Sequence, residues 1–142
     1  MNNTNTHNEN CIFCKIINNE IPSYKVYEDE EILAFLDAFP TNNGHTLIIP
    51  KIHNENIFEI NPTTLQNITK QSQIIAKNIK EKLNCHGINI LQNNGSHAGQ
   101  EVFHYHMHII PRYEDDNVSI KFNSQHDMIK PEIANKILKK LQ

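Results

Sequence analysis

Short apolar stretches separated by turn-forming residues run along most of the chain. Gly, Pro, Asn and Asp lie between these stretches, which is the pattern of β-strands joined by turns. The last stretch alternates strictly, so its even-numbered positions share one face and its odd-numbered positions share the other. Five strands are predicted, at residues 23–27, 31–37, 45–50, 87–92 and 103–110.

The spacing of apolar residues changes to a helical period in two places. Asn61 followed by Pro62 resembles an N-cap with proline in the first helical turn, and apolar residues then recur at helical spacing as far as Leu83. These positions are Leu65, Ile68, Ile75, Ile79 and Leu83. One long amphipathic helix is therefore predicted. A second, C-terminal helix is predicted over residues 131–141, where apolar residues also fall on one side.

Composition indicates one domain of modest size. The chain has 142 residues, of which 38% are hydrophobic, and a net charge of −3. The first ten residues are mostly Asn and Thr and are expected to be disordered, because they have little apolar surface to bury. The chain is therefore divided into a disordered tail (1–10), a folded domain (11–113) and an extension with a helix (114–142).

Several classes of protein are not favoured by the composition. No basic run is longer than Lys139-Lys140, which argues against binding along a nucleic-acid backbone. No apolar run approaches the ~20 residues needed to span a bilayer, and the polar N-terminus does not resemble a signal peptide. Three cysteines fit a reducing compartment better than a disulfide framework. A cytoplasmic location is expected, with no membrane and no nucleic-acid partner.

Three histidines, His104, His106 and His108, alternate with other residues in the last predicted strand. They are expected to share one face, with successive Cα atoms about 6.6 Å apart, while the residues between them point into a core. A single histidine is most often a satisfied polar residue, but three in strict alternation are hard to explain by packing alone. Ordered imidazoles can hold a metal or act as nucleophiles and acid–base groups near neutral pH. The triplet is the candidate functional site.

Two cysteines form the pair Cys11-Ile-Phe-Cys14 at the start of the folded domain. This spacing suits half of a zinc site or a redox pair. A thioredoxin-like redox pair would follow a strand and open a long helix, whereas here a polar tail precedes the pair and Pro22 follows soon after. Zinc binding and simple burial of the two thiols both stay open at this point. Cys85 has no nearby partner in the sequence and is expected to be a buried thiol.

The stretch from Gly99 to Ile110 resembles a known family signature. Gly99-Gln100 is followed, from His104 onwards, by His-Tyr-His-Met-His-Ile-Ile. This is similar to the motif of the histidine triad (HIT) family, and it is closest to the Hint-like, nucleoside-phosphoramidase-type branch. The resemblance covers roughly residues 11 to 113. It implies an α+β fold with a five-stranded, mostly antiparallel sheet and one long helix, and a homodimer formed through that helix and a strand.

The resemblance assigns catalytic roles to five residues. His106 matches the nucleophile, which forms a nucleotidyl-histidine intermediate that water then cleaves. His108 matches the histidine that contacts the phosphate, and His104 matches the one that orients the nucleophile, chiefly through its backbone. His45 matches a histidine on an earlier strand that supports the triad, and Asn93 matches an amide residue near the scissile phosphate.

The resemblance also implies a nucleotide site and a metal site. Asp37 matches a residue that binds ribose hydroxyls. The full set of implied nucleotide-binding positions is Phe13, Ile16, Phe35, Asp37, Asn93, Gly99, Gln100, Val102, His106 and His108. Members with an N-terminal C-x-x-C bind structural zinc, and the implied ligands here are Cys11, Cys14, His53 and His104. No organic cofactor is implied.

The implied function is that of a hydrolase or transferase that cleaves at the α-phosphate of a purine nucleotide. Nucleoside phosphoramidates, adenylates and dinucleoside polyphosphates are the implied substrates. Glu101 departs from the small hydroxyl residue of many Hint-like members, and its carboxylate would repel a phosphate unless it points away or is protonated. Two alternatives stay open. One is a metal-dependent hydrolase with two or three triad histidines as ligands, and the other is a nucleotide-binding scaffold without enzymatic function.

Overall fold

Five strands form one antiparallel sheet, which confirms the α+β fold implied by the resemblance. The computed structural model describes residues 8–125, 128 and 130–141. The strands are β1 (Lys25–Glu28), β2 (Ile32–Leu36), β3 (Thr46–Pro50), β4 (Gly87–Leu91) and β5 (Met107–Arg112). Their order across the sheet is β1-β2-β3-β5-β4, so β5 lies between β3 and the edge strand β4.

The long helix α2 (Pro62–Leu83) covers one face of the sheet, as predicted. It begins after Asn61, whose side chain accepts a hydrogen bond from the Thr63 amide at 2.8 Å, and it ends at Asn84 in the left-handed conformation. The core on this side joins apolar residues of the helix, of the central strands, and of the segments that precede α2 and β5. Its buried members are Ile32, Ala34, Ile48, Ile60, Ile68, Ile75, Tyr105, Met107 and Ile109.

A short helix, α1 (Ile12–Ile17), covers the opposite face of the sheet. Cys11 caps this helix, since its sulfur accepts a hydrogen bond from the Cys14 amide at 3.4 Å. The core between α1 and the sheet consists of Cys11, Phe13, Cys14, Ile16, Leu33, Phe35, Leu47 and Ile49. Alternate residues of β2 and β3 therefore face the two cores, which is why both strands are buried almost throughout.

The two ends of the chain are described in part. Residues 1–7 of the predicted disordered tail lie outside the described residues, whereas residues 8–10 form a turn against α1. In this turn the Asn8 amide donates to Cys14 Sγ at 3.4 Å. The predicted C-terminal helix is α3 (Pro131–Leu141). No helix in the described ranges combines the length and the apolar character needed to cross a membrane.

β5 begins later than the predicted strand 103–110, at Met107. Its ladder with β3 reaches no further than this residue. Pro50, two positions further along β3, has no amide hydrogen with which to extend the ladder, and its carbonyl accepts instead from the His104 ring at 2.8 Å. The strand prediction is therefore wrong for the residues before Met107. Of the three histidines, only His108 lies in a strand.

β5 also ends later than predicted, because Pro111 is accommodated inside it. Pro111 pairs with Ile88 of β4, and its carbonyl accepts from the Asn42 side chain at 2.9 Å on the other side. Pairing with β3 has already ended at Ile109, so the proline nitrogen faces a position that none of the five described strands occupies. The strand then continues to Arg112 along β4 alone.

Candidate active site

The three histidine rings lie on the α1 side of the sheet, close to one another. The ring of Phe13 contacts the rings of His104 and His106 edge-on, with centroids 5.8 and 5.1 Å away. The centroids of the His106 and His108 rings are 5.0 Å apart. The three rings therefore share a side of the molecule although β5 is shorter than expected at its start. Their hydrogen-bond partners, however, are different.

His106 is a neutral ring with one nitrogen free. Its Nδ1 lies 2.7 Å from the carbonyl oxygen of His104, and because a carbonyl only accepts, Nδ1 carries the proton. Nε2 then has the lone pair. Burial lowers the pKa of His106, although the hydrogen bond to His104 and the charges of Asp37 and Glu101 oppose this shift. An unprotonated Nε2 is the form of imidazole that can attack phosphorus.

In His108 the proton lies on Nε2, whereas in His106 it lies on Nδ1. The contact between His108 and His45 determines this position. The Thr41 amide donates to His45 Nδ1 at 3.0 Å, so the neutral His45 ring carries its proton on Nε2. This Nε2 lies 3.0 Å from His108 Nδ1 and 3.5 Å from Asp37 Oδ2. His108 Nδ1 is therefore an acceptor, and its Nε2 carries a proton for a ligand. Burial, with His106 and His45 nearby, lowers the pKa of His108 to about 4, so the ring is neutral at pH 7.

A cavity of about 410 Å³ adjoins these rings. Its lining combines apolar and aromatic side chains with two triad histidines and two carboxylates, which is typical of a small-molecule site. The Asp37 carboxylate is oriented by the Phe39 amide, which donates to Oδ1 at 2.9 Å. The lining includes every implied nucleotide-binding residue except Gln100. These residues are Phe13, Ile16, Phe35, Asp37, Asn93, Gly99, Val102, His106 and His108.

Gln100 is buried behind the loop that precedes the triad. Its Oε1 accepts from the Gly95 amide at 2.7 Å, and its Nε2 donates to the carbonyls of Glu55 at 2.6 Å and Val102 at 3.1 Å. The side-chain amide is thus engaged with backbone groups of the protein. In this position Gln100 stabilises the loop through hydrogen bonds and does not face the cavity.

The loop between β4 and β5 brings Asn93, Gly99 and Glu101 to the cavity. Asn93 Nδ2 donates to the Gly99 carbonyl at 3.4 Å. Gly99 has a φ of +91°, which glycine adopts without strain. Glu101 is exposed and lines the same cavity as His106 and His108. The repulsion expected from Glu101 stays a prediction.

Cys11, Cys14, His53 and His104 form a compact cluster of four donor atoms, all within 4.8 Å of one another. Cys11 Sγ is 3.3 Å from His104 Nδ1, and Cys14 Sγ is 3.4 Å from His53 Nδ1. Tetrahedral zinc with its usual bond lengths needs donor separations of about 3.3–3.8 Å. Because His104 Nε2 donates to the Pro50 carbonyl, its Nδ1 has the lone pair that a metal requires. The cluster is compatible with zinc.

Two backbone groups contribute to the site without having been predicted. The Thr41 amide sets the proton position in His45, and the Pro50 carbonyl sets it in His104. Neither group has a side-chain signature. The only signals in the sequence were the turn residues before His45 and the proline that ends its strand.

Comparison with known proteins identifies the family of the chain. A family model described as the HIT domain matches residues 18–115, which is more than half of the chain. The chain belongs to the HIT family. This confirms the resemblance that the histidine motif indicated.

Three relatives of this HIT protein have informative names. The chain is 49% identical over 138 residues to "Protein hit" of Bacillus subtilis, a match that spans 94% of this chain and 95% of the relative. It is 45% identical over 105 residues to adenosine 5'-monophosphoramidase of Saccharomyces cerevisiae, spanning 74% and 64% of the two chains. It is 42% identical over 113 residues to adenylylsulfatase of Arabidopsis thaliana, spanning 80% and 57%.

Solved structures of HIT proteins share the fold. The crystal structure of a HIT family member from Bacillus subtilis matches with a TM-score of 0.84 and 47% identity, over 94% of this chain and 95% of the other. A zinc-bound histidine triad family protein from Mycobacterium smegmatis matches with a TM-score of 0.74 and 34% identity, over 94% and 98%. Together with the named relatives, these matches place the chain in the Hint-like branch of the family.

Proposed function

We propose that this HIT protein hydrolyses purine nucleotides at the α-phosphate through a nucleotidyl-histidine intermediate on His106. The observation that carries the proposal is the 2.7 Å contact between His106 Nδ1 and the His104 carbonyl, which leaves Nε2 unprotonated beside a ligand-sized cavity. The names of two relatives, an adenosine 5'-monophosphoramidase and an adenylylsulfatase, support a nucleotide substrate.

The reaction has two steps at the same phosphorus. In the first, Nε2 of His106 attacks the α-phosphorus, and the bond to the leaving group breaks. The leaving group departs with the bonding electrons and takes a proton from water. In the second, water attacks the phosphorus, the electron pair of the P–N bond returns to Nε2, and a proton passes to solvent. Throughout, Nδ1–H donates to the His104 carbonyl and thereby stabilises positive charge on the ring.

The remaining residues of the cavity bind and orient the nucleotide in this proposal. Phe13, Ile16 and Phe35 supply an apolar surface for the base, and the Asp37 carboxylate accepts hydrogen bonds from the ribose hydroxyls. His108 donates from Nε2 to a phosphate oxygen. Asn93 supplies a side-chain amide near the same phosphate.

We also propose that Cys11, Cys14, His53 and His104 bind a structural zinc ion. The spacing of the four donors supports this, and so does the zinc-bound relative from Mycobacterium smegmatis. When bound, zinc would supply a cross-link between the start of α1 and the segments that carry the two histidines. His106 is not a member of the cluster, so its ring stays free for chemistry.

A metal-dependent hydrolase is less well supported by the geometry. In the part of the chain that the structure describes, each of the two groups of potential metal ligands contains only one triad histidine. His106 belongs to neither group. A catalytic metal held by two or three triad histidines would therefore require these rings to leave their present hydrogen bonds.

We propose that two copies of the chain pair through α2 and β4. β4 is an edge strand of the sheet, so its outer side is available for a partner. The groove between β4 and α2 has apolar side chains in its lining, among them Leu65, Ala76, Ile88 and Ile90. Ile90 is 49% exposed, and burial against a second copy would remove it from water. The cytoplasmic location stays a prediction.

AMP release from an adenosine phosphoramidate tests the proposed reaction. The wild type is expected to turn over many times, whereas His106→Ala should lose activity by about 10³-fold or more, because no other group supplies the nucleophile. His97→Ala is the matched control. It removes an exposed histidine from the neighbouring loop and should retain the wild-type rate.

Mass spectrometry tests the intermediate. Protein quenched in denaturant at alkaline pH, where a phosphorus–histidine bond survives, is expected to yield an adenylylated peptide that contains His106. Turnover without this adduct, abolished by a chelator and restored by metal, would contradict the proposal in favour of a metal-dependent hydrolase. Tight AMP binding with neither adduct nor turnover would identify a nucleotide-binding scaffold instead.

A further inference from the structure

Two groups of potential metal ligands neighbour His106, and they differ in whether a histidine presents a bare or a protonated nitrogen to the other ligands. In the first group, His104 donates from Nε2 to the Pro50 carbonyl, and so it presents an unprotonated Nδ1 to the cysteines. The second group consists of Asp37, His45 and His108, whose donor atoms also lie within 4.8 Å of one another. By distance alone, both groups could accommodate a zinc ion.

A backbone amide distinguishes the second group. The Thr41 amide donates to His45 Nδ1 at 3.0 Å, so a proton on this nitrogen would meet the amide hydrogen directly. The neutral His45 ring must therefore carry its proton on Nε2, the nitrogen that faces His108 and Asp37. A metal-bound histidine needs the reverse, because one nitrogen gives its lone pair to the metal and the other donates to an acceptor. Thr41 supplies a donor where a metal site needs an acceptor.

The loop that carries the Thr41 amide is fastened to the sheet. The His45 amide donates to the Asn42 carbonyl at 3.1 Å. The Asn42 side chain donates to the Pro111 carbonyl and to Asp116 Oδ2, both at 2.9 Å. These contacts join the loop to the end of β5 and to the segment that follows it. Thr41 and His45 are thereby kept at hydrogen-bond distance.

We propose that Thr41, through its backbone amide, and Asn42, through its side chain, are positioning residues that lock His45 as a hydrogen-bond donor. The lock makes His108 a donor from Nε2, and it prevents divalent transition metals such as zinc from binding to Asp37, His45 and His108. Both residues act through His45. The role of His108 toward a phosphate rests on the proposed function, whereas the proton positions and the exclusion of metal do not.

The proton positions can be measured in the wild type. Long-range ¹H–¹⁵N correlation spectra of the imidazole rings, recorded on zinc-loaded protein at neutral pH, distinguish Nδ1–H from Nε2–H. We expect Nε2–H for His45 and His108, and Nδ1–H for His106. A His45 ring that carries its proton on Nδ1, or on both nitrogens, would overturn the proposal whatever the activity of the protein.

A pair of substitutions at one position isolates the amide hydrogen. Thr41→Pro removes it, whereas Thr41→Ala removes only the side chain and keeps it. Each protein is first loaded with one equivalent of zinc, and further zinc is then titrated by calorimetry. We expect a second zinc site of unit stoichiometry in Thr41→Pro alone, weakened at least about tenfold by saturating AMP, because the two ligands would compete for the same cavity.

The same proteins are compared in AMP release, and circular dichroism checks that each is folded. Thr41→Pro should lose activity by at least about tenfold and should become sensitive to added zinc, while Thr41→Ala should remain insensitive to it. A second zinc site of equal strength in the wild type, or none in a folded Thr41→Pro, would overturn the proposal. If Thr41→Pro does not fold, Asn42→Ala and the wild-type spectra decide, since Asn42→Ala should bind a second zinc that neither the wild type nor Thr41→Ala binds, and its absence in a folded Asn42→Ala would overturn the proposal.

The outcomes separate this proposal from the proposed function. If the proton positions are as expected but no AMP is released, the proposed role of Thr41 and Asn42 stands and the proposed hydrolase activity is contradicted. Normal AMP release through His106, with the His45 proton on Nδ1, would contradict the lock and leave the hydrolase intact.

Discussion

Nδ1 of His106 lies 2.7 Å from the carbonyl oxygen of His104, so the first triad histidine contacts the second through its backbone. The His104 side chain faces elsewhere, toward Cys11 and Cys14 at 3.3 and 3.7 Å. A substitution that removes the His104 ring leaves this carbonyl in the chain. The two histidines should therefore respond differently to replacement.

We expect His104→Ala to reduce stability more than catalysis. The ring is fully buried against Phe13 and Cys11, so its loss leaves a cavity and removes a potential metal ligand. The free energy of unfolding should fall by about 2–4 kcal/mol, and the rate should fall far less than in His106→Ala. Urea unfolding and AMP release on the same preparations check this. Equal losses of rate in the two variants would show that the His104 ring takes part in the chemistry.

Removal of a cysteine should release zinc and loosen α1. The Cys14 side chain is 1% exposed and lies in the core between α1 and the sheet. In Cys14→Ser we expect the zinc content to fall from about one per chain to near zero, and the melting temperature to fall by several degrees. Cys85→Ser is the control, because Cys85 is also buried but lies outside the cluster. Full zinc content in Cys14→Ser would contradict the assignment of the ligands.

The pH profile of hydrolysis should extend to lower pH than that of a histidine nucleophile with an ordinary pKa. Burial lowers the pKa of His106 below the ordinary value of 6.5, and it lowers that of His108 to about 4. A lowered pKa means that the ring stays neutral to lower pH, so the acid loss of activity should be centred below pH 6.5. Rates measured across the acid and neutral range at constant ionic strength check this. A midpoint at or above pH 6.5 would contradict it.

Features encoded by local patterns could be predicted closely. Asn61 and Pro62 mark the start of α2 to the residue, because an N-cap and a first-turn proline act within one turn of helix. The triad histidines do share one side of the sheet, and Cys11 and Cys14 do meet His53 and His104. The long-range pairing of the cysteines with the histidines came from the family resemblance and not from the local spacing.

Features that depend on neighbours in space could not be predicted in this way. The bounds of β5 depend on Pro50 of the adjacent strand and on the absence of a strand partner beside Pro111. The arrangement of Gln100 depends on backbone groups of Glu55 and Gly95, which no spacing rule brings together. The position of the proton on His45 depends on the backbone amide of Thr41. Because every residue except proline has such an amide hydrogen, the sequence does not distinguish this one.

A larger residue at Gly44 should lower the stability of the protein. Its φ is +88°, and an added Cβ would lie 2.6 Å from Leu83 Cδ1 and 3.2 Å from Pro111 Cγ. Gly44→Ala should therefore lower the free energy of unfolding by about 1–2 kcal/mol, because backbone strain adds to the shift that the Leu83 and Pro111 side chains must make. Gly95→Ala is the matched control, because Gly95 has a φ of +91° but, among the described residues, no atom lies within 4 Å of the added carbon. Its loss, from backbone strain alone, should be about 1 kcal/mol. Equal losses in urea unfolding would show that the contact with Leu83 does not matter.

Glu101 should influence the relative rates of hydrolysis of substrates whose leaving groups differ in charge. It is exposed at the cavity that His106 also lines, and its charge partly opposes the lowering of the His106 pKa by burial, so the carboxylate is close enough to act on a group bound there. A negative charge there disfavours an anionic leaving group more than a neutral amine. Glu101→Gln should therefore raise the rate with adenylyl sulfate relative to an adenosine phosphoramidate, by roughly 2- to 10-fold because an exposed charge is partly screened.

Two comparisons show whether this effect comes from the charge at the cavity. In the wild type, added salt should move the ratio of the two rates in the same direction as Glu101→Gln, because salt screens the carboxylate. Glu30→Gln removes the same charge from an exposed turn that does not line the cavity, and it should leave the ratio unchanged. If Glu101→Gln changed both rates by the same factor, its carboxylate would act on His106 or on the bound nucleotide and not on the leaving group.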